Sequence, residues 1–332
     1  MDLERLRAGE TRPLAQAISA IETRQPGIGD LIEQLQAGRE DASKTQIVGL
    51  TGPPGSGKST LADGLTALWR GQGRRVAILA VDPNSPFTGG AILGDRVRMQ
   101  RHALDRGVFI RSMGARGHLG GVSLATRGTV RLLGALGWEM VLVETVGVGQ
   151  SELEICEIAD SVVVVSTPAA GDGVQVIKAG ITEIADLFAV NKADLPGADR
   201  VVRELRDLVR AHREAGVWQV PVVTTVAASG VEGVTDLATA LDQHRAHLLS
   251  SGDQQARAER RIRDEVAELV GARATDFAHR LLSASDPALV PEGHGIANPE
   301  RVAELILRRL GTEESNIEAA EAAPAAGDRR MD

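Results

Sequence analysis

The chain is predicted to be an α/β protein, a mostly parallel sheet covered by helices on both faces, with helical extensions at its two ends. Two observations predict this class. Residues 46–251 alternate short apolar runs with longer stretches whose apolar spacing is near 3.6, the pattern of parallel strands joined by crossover helices. Within that region, Ile47-Val48-Gly49-Leu50 leads through a glycine-rich turn straight into Leu61-Ala62-Asp63-Gly64-Leu65, which reads as a buried strand, a loop and a helix start. In such sheets ligands gather at the carboxyl ends of the strands, and each motif described below sits at such an end.

Residues 1–45 place Leu14, Ile18 and Ile21, then Ile28, Leu31, Ile32 and Leu35, at helical spacing, with a break around Pro26-Gly27. Two or three amphipathic helices are expected there, packed either on the main domain or on a partner. The domain at 46–251 follows, with further strands expected at Val76–Val81, Val108–Ile110, Met140–Val143, Ser161–Val165, Leu187–Val190 and Val220–Val226. Helices are expected at Leu61–Arg70, Val122–Leu136 and Val201–Ala215. Residues 252–311 change character: Ile262, Val266, Leu269 and Val270 form one apolar helix face, continued by Phe277, Ala278, Leu281 and Leu282. Asn298-Pro299 reads as an N-cap and first helical position before Val302, Leu305, Ile306 and Leu310. This helical arm has no sheet of its own to cover, so it packs on the chain's own domain or on a second subunit. The Ala/Glu-rich residues 312–332 are expected to be disordered.

Composition narrows the classes. Hydrophobic content is 43% and charged content 25% over 332 residues, as in soluble globular proteins. No apolar run approaches the ~20 residues of a membrane span, and the charged start Met1–Arg7 does not read as a signal peptide. A cytoplasmic location is expected. One cysteine, Cys156, excludes an intrachain disulfide and an all-cysteine metal site, and reads as a small buried hydrophobe. Net charge is −8, and aromatic residues are only 2% with no tyrosine, so neither charge nor stacking argues for nucleic acid. His244 and His247, one turn apart without a third ligand, read as a solvated face. His118 stands in a glycine-rich loop, and Arg127 and Arg131 read as surface charges.

The turn Gly52-Pro53-Pro54-Gly55-Ser56-Gly57-Lys58-Ser59-Thr60 meets the pattern G-x-x-x-x-G-K-[ST]. Its glycines let backbone N–H groups converge on a phosphate, and the helix start adds partial positive charge. Lys58 is placed for the β- and γ-phosphates, and the Ser59 hydroxyl for Mg²⁺. Val141–Val143 ends in Glu144, with Gly147 three residues on; Glu144 is suited to holding Mg²⁺ directly or through water, and the Gly147 N–H to sensing the γ-phosphate. Asp82 ends another strand, and Asp95 follows Thr88-Gly89-Gly90; both are candidate acids for the same ion. Directly after Leu187–Val190 comes Asn191-Lys192-Ala193-Asp194. A carboxylate at Asp194 accepts from both N1–H and the 2-amino group of guanine, a donor pair adenine lacks. The Lys192 stem is expected along the base plane, and Asn191 to hold the loop. Val226-Ala227-Ala228 is placed for a backbone N–H on the guanine O6. The nucleotide is therefore expected to be GTP or GDP, with Mg²⁺.

Together Gly52–Thr60, Val81–Ser85, Gly94-Asp95-Arg96-Val97-Arg98-Met99, Gly117–Gly121, Glu144–Glu152 and Asn191–Asp194 resemble the methylmalonyl-CoA mutase-associated GTPase family (MeaB/ArgK type), over roughly residues 1–310. The resemblance implies a P-loop GTPase that chaperones an adenosylcobalamin-dependent acyl-CoA mutase such as methylmalonyl-CoA mutase, gating cofactor loading and protecting or reactivating the mutase. It implies homodimers made partly through the C-terminal helices; from composition, no nucleic-acid or membrane partner is expected. It further implies Ser59, Asp82, Asp95 and Glu144 as Mg²⁺ and switch residues, and Gly171–Lys178 as a third switch, with Gln175 and Lys178 as its polar contacts. The chain departs from the family pattern at Pro168-Ala169-Ala170 and at Val226, where a serine is usual. Two other classes stay in view: a GTP-dependent metal-insertion GTPase, against which the single cysteine argues, and an ATP-dependent kinase, against which Asp194 argues.

Overall fold

The structure, a computed structural model, describes residues 2–37, 45–82, 100–102, 104–114, 121–145, 154–168, 184–211, 218–283 and 298–321. Among the described residues seven strands form one sheet: β1 (Gln46–Thr51), β2 (Val76–Asp82), β3 (Val108–Gly114), β4 (Met140–Thr145), β5 (Ser161–Ser166), β6 (Leu187–Val190) and β7 (Val222–Thr224). Their order is β3-β2-β4-β1-β5-β6-β7, and every pairing is parallel. β1, β4, β5 and β6 are buried along their whole length, as their unbroken apolar runs require of strands covered on both faces. β3 runs further than Val108–Ile110 because it pairs with β2 from Val76↔Val108 to Asp82↔Gly114. β7 is shorter than the expected Val220–Val226. It lies at the sheet edge, and Pro221 accepts from the Phe188 N–H but has none to give.

The pleat sorts side chains into two layers. Val141 and Val143 face one core, and Met140 and Leu142 the other. The first core is closed by α1 (Leu3–Arg7), α2 (Thr11–Glu22), α3 (Ile28–Gln36) and α5 (Gly121–Ala135), and the second by α4 (Lys58–Gly71) and α7 (Thr235–Ser251). A third cluster packs α6 (Ala198–Ala211) on Val164, Phe188 and Val190. The N-terminal helices therefore pack on the chain's own sheet. Leu6, Leu14 and Ile18 are fully buried there, each contributing about 1.5–3 kcal/mol. Arg111 on β3 donates to Glu22 at 2.7 Å and secures α2 at the sheet edge.

At the amino ends of the strands runs a belt of charge. Asp160 and Asp186 directly precede β5 and β6, and both reach the start of α8 (Asp253–Ser283). Asp160 accepts from the Ile47 N–H at 2.8 Å, Gln254 at 3.1 Å and Arg261 at 2.6 Å. Asp186 accepts from the Val162 N–H at 2.8 Å and from both Nη atoms of Arg257, at 2.8 and 3.1 Å. His244 belongs to this belt rather than to a solvated face. It is fully buried, its Nδ1 is 2.8 Å from Ser161 Oγ, and burial holds its imidazole below the usual range. Arg127 is likewise not a surface charge. It is buried, donates to Glu157 at 2.6 Å and to the Arg261 carbonyl at 3.2 Å.

The chain divides into two units, Met1–Arg263 and Asp264–Asp332, with the division inside α8. In the second unit, Phe277, Ala278, Leu281 and Leu282 of α8 pack with Val302, Ile306 and Leu310 of α9 (Pro299–Glu321). Asn298 caps α9 by accepting from the Arg301 N–H at 3.0 Å. α9 continues past Thr312 to Glu321, where Ala and Glu are strong helix formers; residues 322–332 lie outside the described residues. No helix among the described residues is long and apolar enough to cross a membrane.

Candidate nucleotide site

The carboxyl ends of β1, β4 and β6 converge on the start of α4. The loop Gly52–Gly57 turns there because its three glycines, Gly55 at φ +75 among them, adopt conformations that other residues rarely take. Gly52 has φ +135 and Gly57 φ +93. A Cβ on Gly52 would meet the Val165 carbonyl, and one on Gly57 the Asn191 amide. Pro54, Gly55 and Thr60 are exposed, whereas Ser56, Lys58 and Ser59 are buried. Lys58 Nζ donates to the Gly52 carbonyl at 2.7 Å and the Pro53 carbonyl at 3.2 Å, so its ammonium lies across its own loop.

Sheet register places the acid. Leu50 on β1 and Ala80 on β2 both pair with Glu144 on β4, which sets Glu144 beside the first turn of α4. Ser59 Oγ donates to Glu144 Oε1 at 2.6 Å. Among the described residues no group of three or more His, Cys, Asp or Glu side chains is placed to hold a metal. A hydroxyl and one carboxylate nevertheless fit Mg²⁺, which keeps several waters and takes phosphate oxygens for its remaining positions. Asp82 is the last residue of β2. Asp95, Gly147, Gln175 and Lys178 lie outside the described residues.

β6 ends at Val190, and the residues after it brace the phosphate loop. Asn191 Nδ2 donates to the Ser56 carbonyl at 2.9 Å, while its Oδ1 accepts from Thr225 Oγ1 at 3.2 Å and the Ala227 N–H at 3.1 Å. Lys192, at φ +58, donates to the Gly55 carbonyl at 2.9 Å. The Ala193 N–H reaches the Thr225 carbonyl at 3.1 Å. Asn191 and Lys192 thus hold the Ser56 and Gly55 carbonyls of the loop. Asp194 is exposed at the end of this turn. Of the three residues expected near O6, Val226 spends its N–H on the Gly233 carbonyl and Ala227 on Asn191, and Ala228 lies in the short helical turn Ala227–Ser229. Thr225 joins the site without a sequence signal; no local pattern marks a hydroxyl whose partner is 34 positions away. Cys156 is half-buried, and burial first, then the Asp186 charge, push its thiol up to about 12. A thiolate nucleophile is absent there at neutral pH.

The sequence model of the family described as methylmalonyl-CoA mutase-associated GTPase MeaB matches residues 14–281. A GTPase of Pyrococcus horikoshii is 42% identical over 311 residues, spanning 93% of this chain and 97% of that protein. The Escherichia coli GTPase ArgK is 39% identical over 258 residues, 76% of this chain and 78% of its own length. A Mus musculus protein named as a mitochondrial methylmalonic aciduria type A homolog is 36% identical over 264 residues, 75% of this chain and 63% of its length. A solved structure described as a LAO/AO transport system kinase superposes with a TM-score of 0.65 at 26% identity, covering 93% of this chain and 96% of that one. The chain is a GTPase and belongs to the methylmalonyl-CoA mutase-associated GTPase family, MeaB.

Proposed function

We propose that this GTPase is a chaperone of an adenosylcobalamin-dependent acyl-CoA mutase such as methylmalonyl-CoA mutase, gating cofactor loading and protecting or reactivating the mutase. The family match over residues 14–281 carries this reading. In it, Lys58 leaves the Gly52 and Pro53 carbonyls for the β- and γ-phosphates of GTP, which replace two neutral acceptors by charged ones. Ser59 and Glu144 are the residues that would hold Mg²⁺, with Asp82 and Asp95 serving it in turn. Bound there, Mg²⁺ would neutralise charge developing between the β- and γ-phosphates. The Gly147 N–H would sense the γ-phosphate, and Asp194 would take the guanine N1–H and 2-amino group, with Ala228 for O6. Gln175 and Lys178 carry the response to the mutase, and the C-terminal helices pair two copies into a homodimer in the cytoplasm.

Guanine selectivity is the first check on the site. Hydrogen bonds to a charged acceptor contribute about 1.5–3 kcal/mol, so Asp194→Asn is expected to erase most of the preference for GTP over ATP in competitive binding. Equal affinities in the wild type remove Asp194 from this role. The chaperone reading is tested by steady-state GTP turnover with and without the cognate mutase, for the wild type and for Lys178→Ala. An arginine supplied to the γ-phosphate is worth about 10³–10⁵ in rate, which bounds from above what ordering by a partner adds. Acceleration by the mutase, lost in Lys178→Ala, is the expected result. Turnover that no mutase changes argues for a self-sufficient enzyme.

A further inference from the structure

His244 is a buried titratable group that the nucleotide site does not use. It stands on α7 with none of its surface exposed, and groups from other elements close around its ring. Nδ1 is 2.8 Å from Ser161 Oγ at the start of β5. Nε2 lies 3.4 Å from Oδ1 of Asp186, just ahead of β6, and makes no hydrogen bond. The Trp218 ring packs on the imidazole at 4.9 Å and donates its indole N–H to the Asp186 carbonyl at 2.8 Å. Arg257 of α8, Asp160 ahead of β5 and His247 on α7 complete the charges that His244 feels. Close by, Arg261 is engaged by Asp160 at 2.6 Å, and the Cys156 thiol stays protonated.

Asp186 therefore has two claimants. While the imidazole is neutral, Arg257 holds both carboxylate oxygens, at 2.8 and 3.1 Å. A protonated imidazole is a donor at both nitrogens: Nδ1–H has Ser161 Oγ as its acceptor, and Nε2–H has Asp186 within reach. Asp160 with Arg261 and Asp186 with Arg257 are balanced pairs, so the added proton leaves one positive charge in excess where little water screens it. Of the two cations on Asp186 only one is free to leave. The Arg257 side chain is 36% exposed and that of His244 1%. Arg257 reaches water along its aliphatic stem, whereas the imidazole is held between Ser161 and Trp218.

We infer that His244 is a proton-operated latch on the start of α8: once protonated, it displaces Arg257 from Asp186 and loosens that part of the helix from the sheet, while Arg261 keeps its own anchor on Asp160. Burial is the largest influence on the imidazole and lowers its proton affinity, against the pull of Asp186; the Arg257 and His247 charges lower it further, and Asp160 raises it. The state with Arg257 released is thus the one that takes the proton more readily, so protonation and release favour each other. The attachment is complete above pH 6.5, the ordinary imidazole value, and weakens as the pH falls below it.

The test follows residues 257–263 by amide hydrogen exchange, corrected for intrinsic rates, in the wild type, His244→Asn and Arg257→Gln. It spans about pH 8 to about pH 5, the range over which imidazoles titrate. Asparagine keeps a polar atom for Ser161 and takes no proton. In the wild type, exchange is expected to rise about 10- to 150-fold on acidification, the range that hydrogen bonds to a charged group confer, and to stay level in His244→Asn. Arg257→Gln is expected to exchange at about pH 8 as fast as the wild type does at about pH 5. Its His244 ring resonance is expected to titrate at a higher pH than in the wild type, the same coupling read from the other end. A rise of equal size in His244→Asn overturns the inference, as does wild-type exchange that pH leaves unchanged. An unmoved His244 titration in Arg257→Gln overturns it too, and where His244→Asn fails to fold, that titration alone decides.

Discussion

Glu144→Ala is expected to slow single-turnover GTP hydrolysis by about a hundredfold or more while GDP affinity changes little. The reason is positional. Register with Leu50 and Ala80 sets Glu144 beside α4, and its Oε1 already receives the Ser59 hydroxyl at 2.6 Å. A group serving the ion between the β- and γ-phosphates acts where charge develops, whereas GDP keeps the loop N–H groups and Lys58. Single-turnover rates set beside GDP titrations separate the two effects, and Glu144→Gln controls for the loss of side-chain volume. A Glu144→Ala enzyme of normal rate moves the role to Asp82 or Asp95.

The other large effect is on stability. Asp160→Ala is expected to cost about 3–5 kcal/mol, because it breaks a buried ion pair from one side. The Asp160 side chain is 3% exposed and that of Arg261 19%, so solvent does little to replace the lost partner. The change strips a hydrogen-bond acceptor from the Ile47 N–H, from Gln254 and from Arg261 together. Urea unfolding measures it, with Arg210→Ala as the contrast. Arg210 and Asp207 are 72% and 74% exposed, and pairs of that kind contribute little. A loss at Asp160 no larger than that at Arg210 means that water replaces the carboxylate. The belt would then not be what holds the start of α8 against the sheet.

The α/β class, the order of its elements and the phosphate loop were legible in the chain because their physics is local. Runs such as Val162–Val165 and Leu187–Val190 identify strands buried on both faces whatever packs on them, and glycines at 52 and 57 announce a turn that other residues resist. Periodicity also showed that the N-terminal helices bury one face. It left open whether their cover was this chain or another, since an apolar stripe records that it is covered and not by what. Tertiary structure decided that, through Leu6, Leu14 and Ile18 against the chain's own sheet. It likewise decided the fate of the polar residues. Arg127 and His244 look like solvated charges in sequence and are buried, because Glu157 and Ser161 come to meet them from other elements. The bracing of the phosphate loop by Asn191 and Lys192 spans 135 and 137 positions. Whether a polar group lies in water or in a network depends on which strand ends the sheet order brings together, and that order is set by packing over the whole domain.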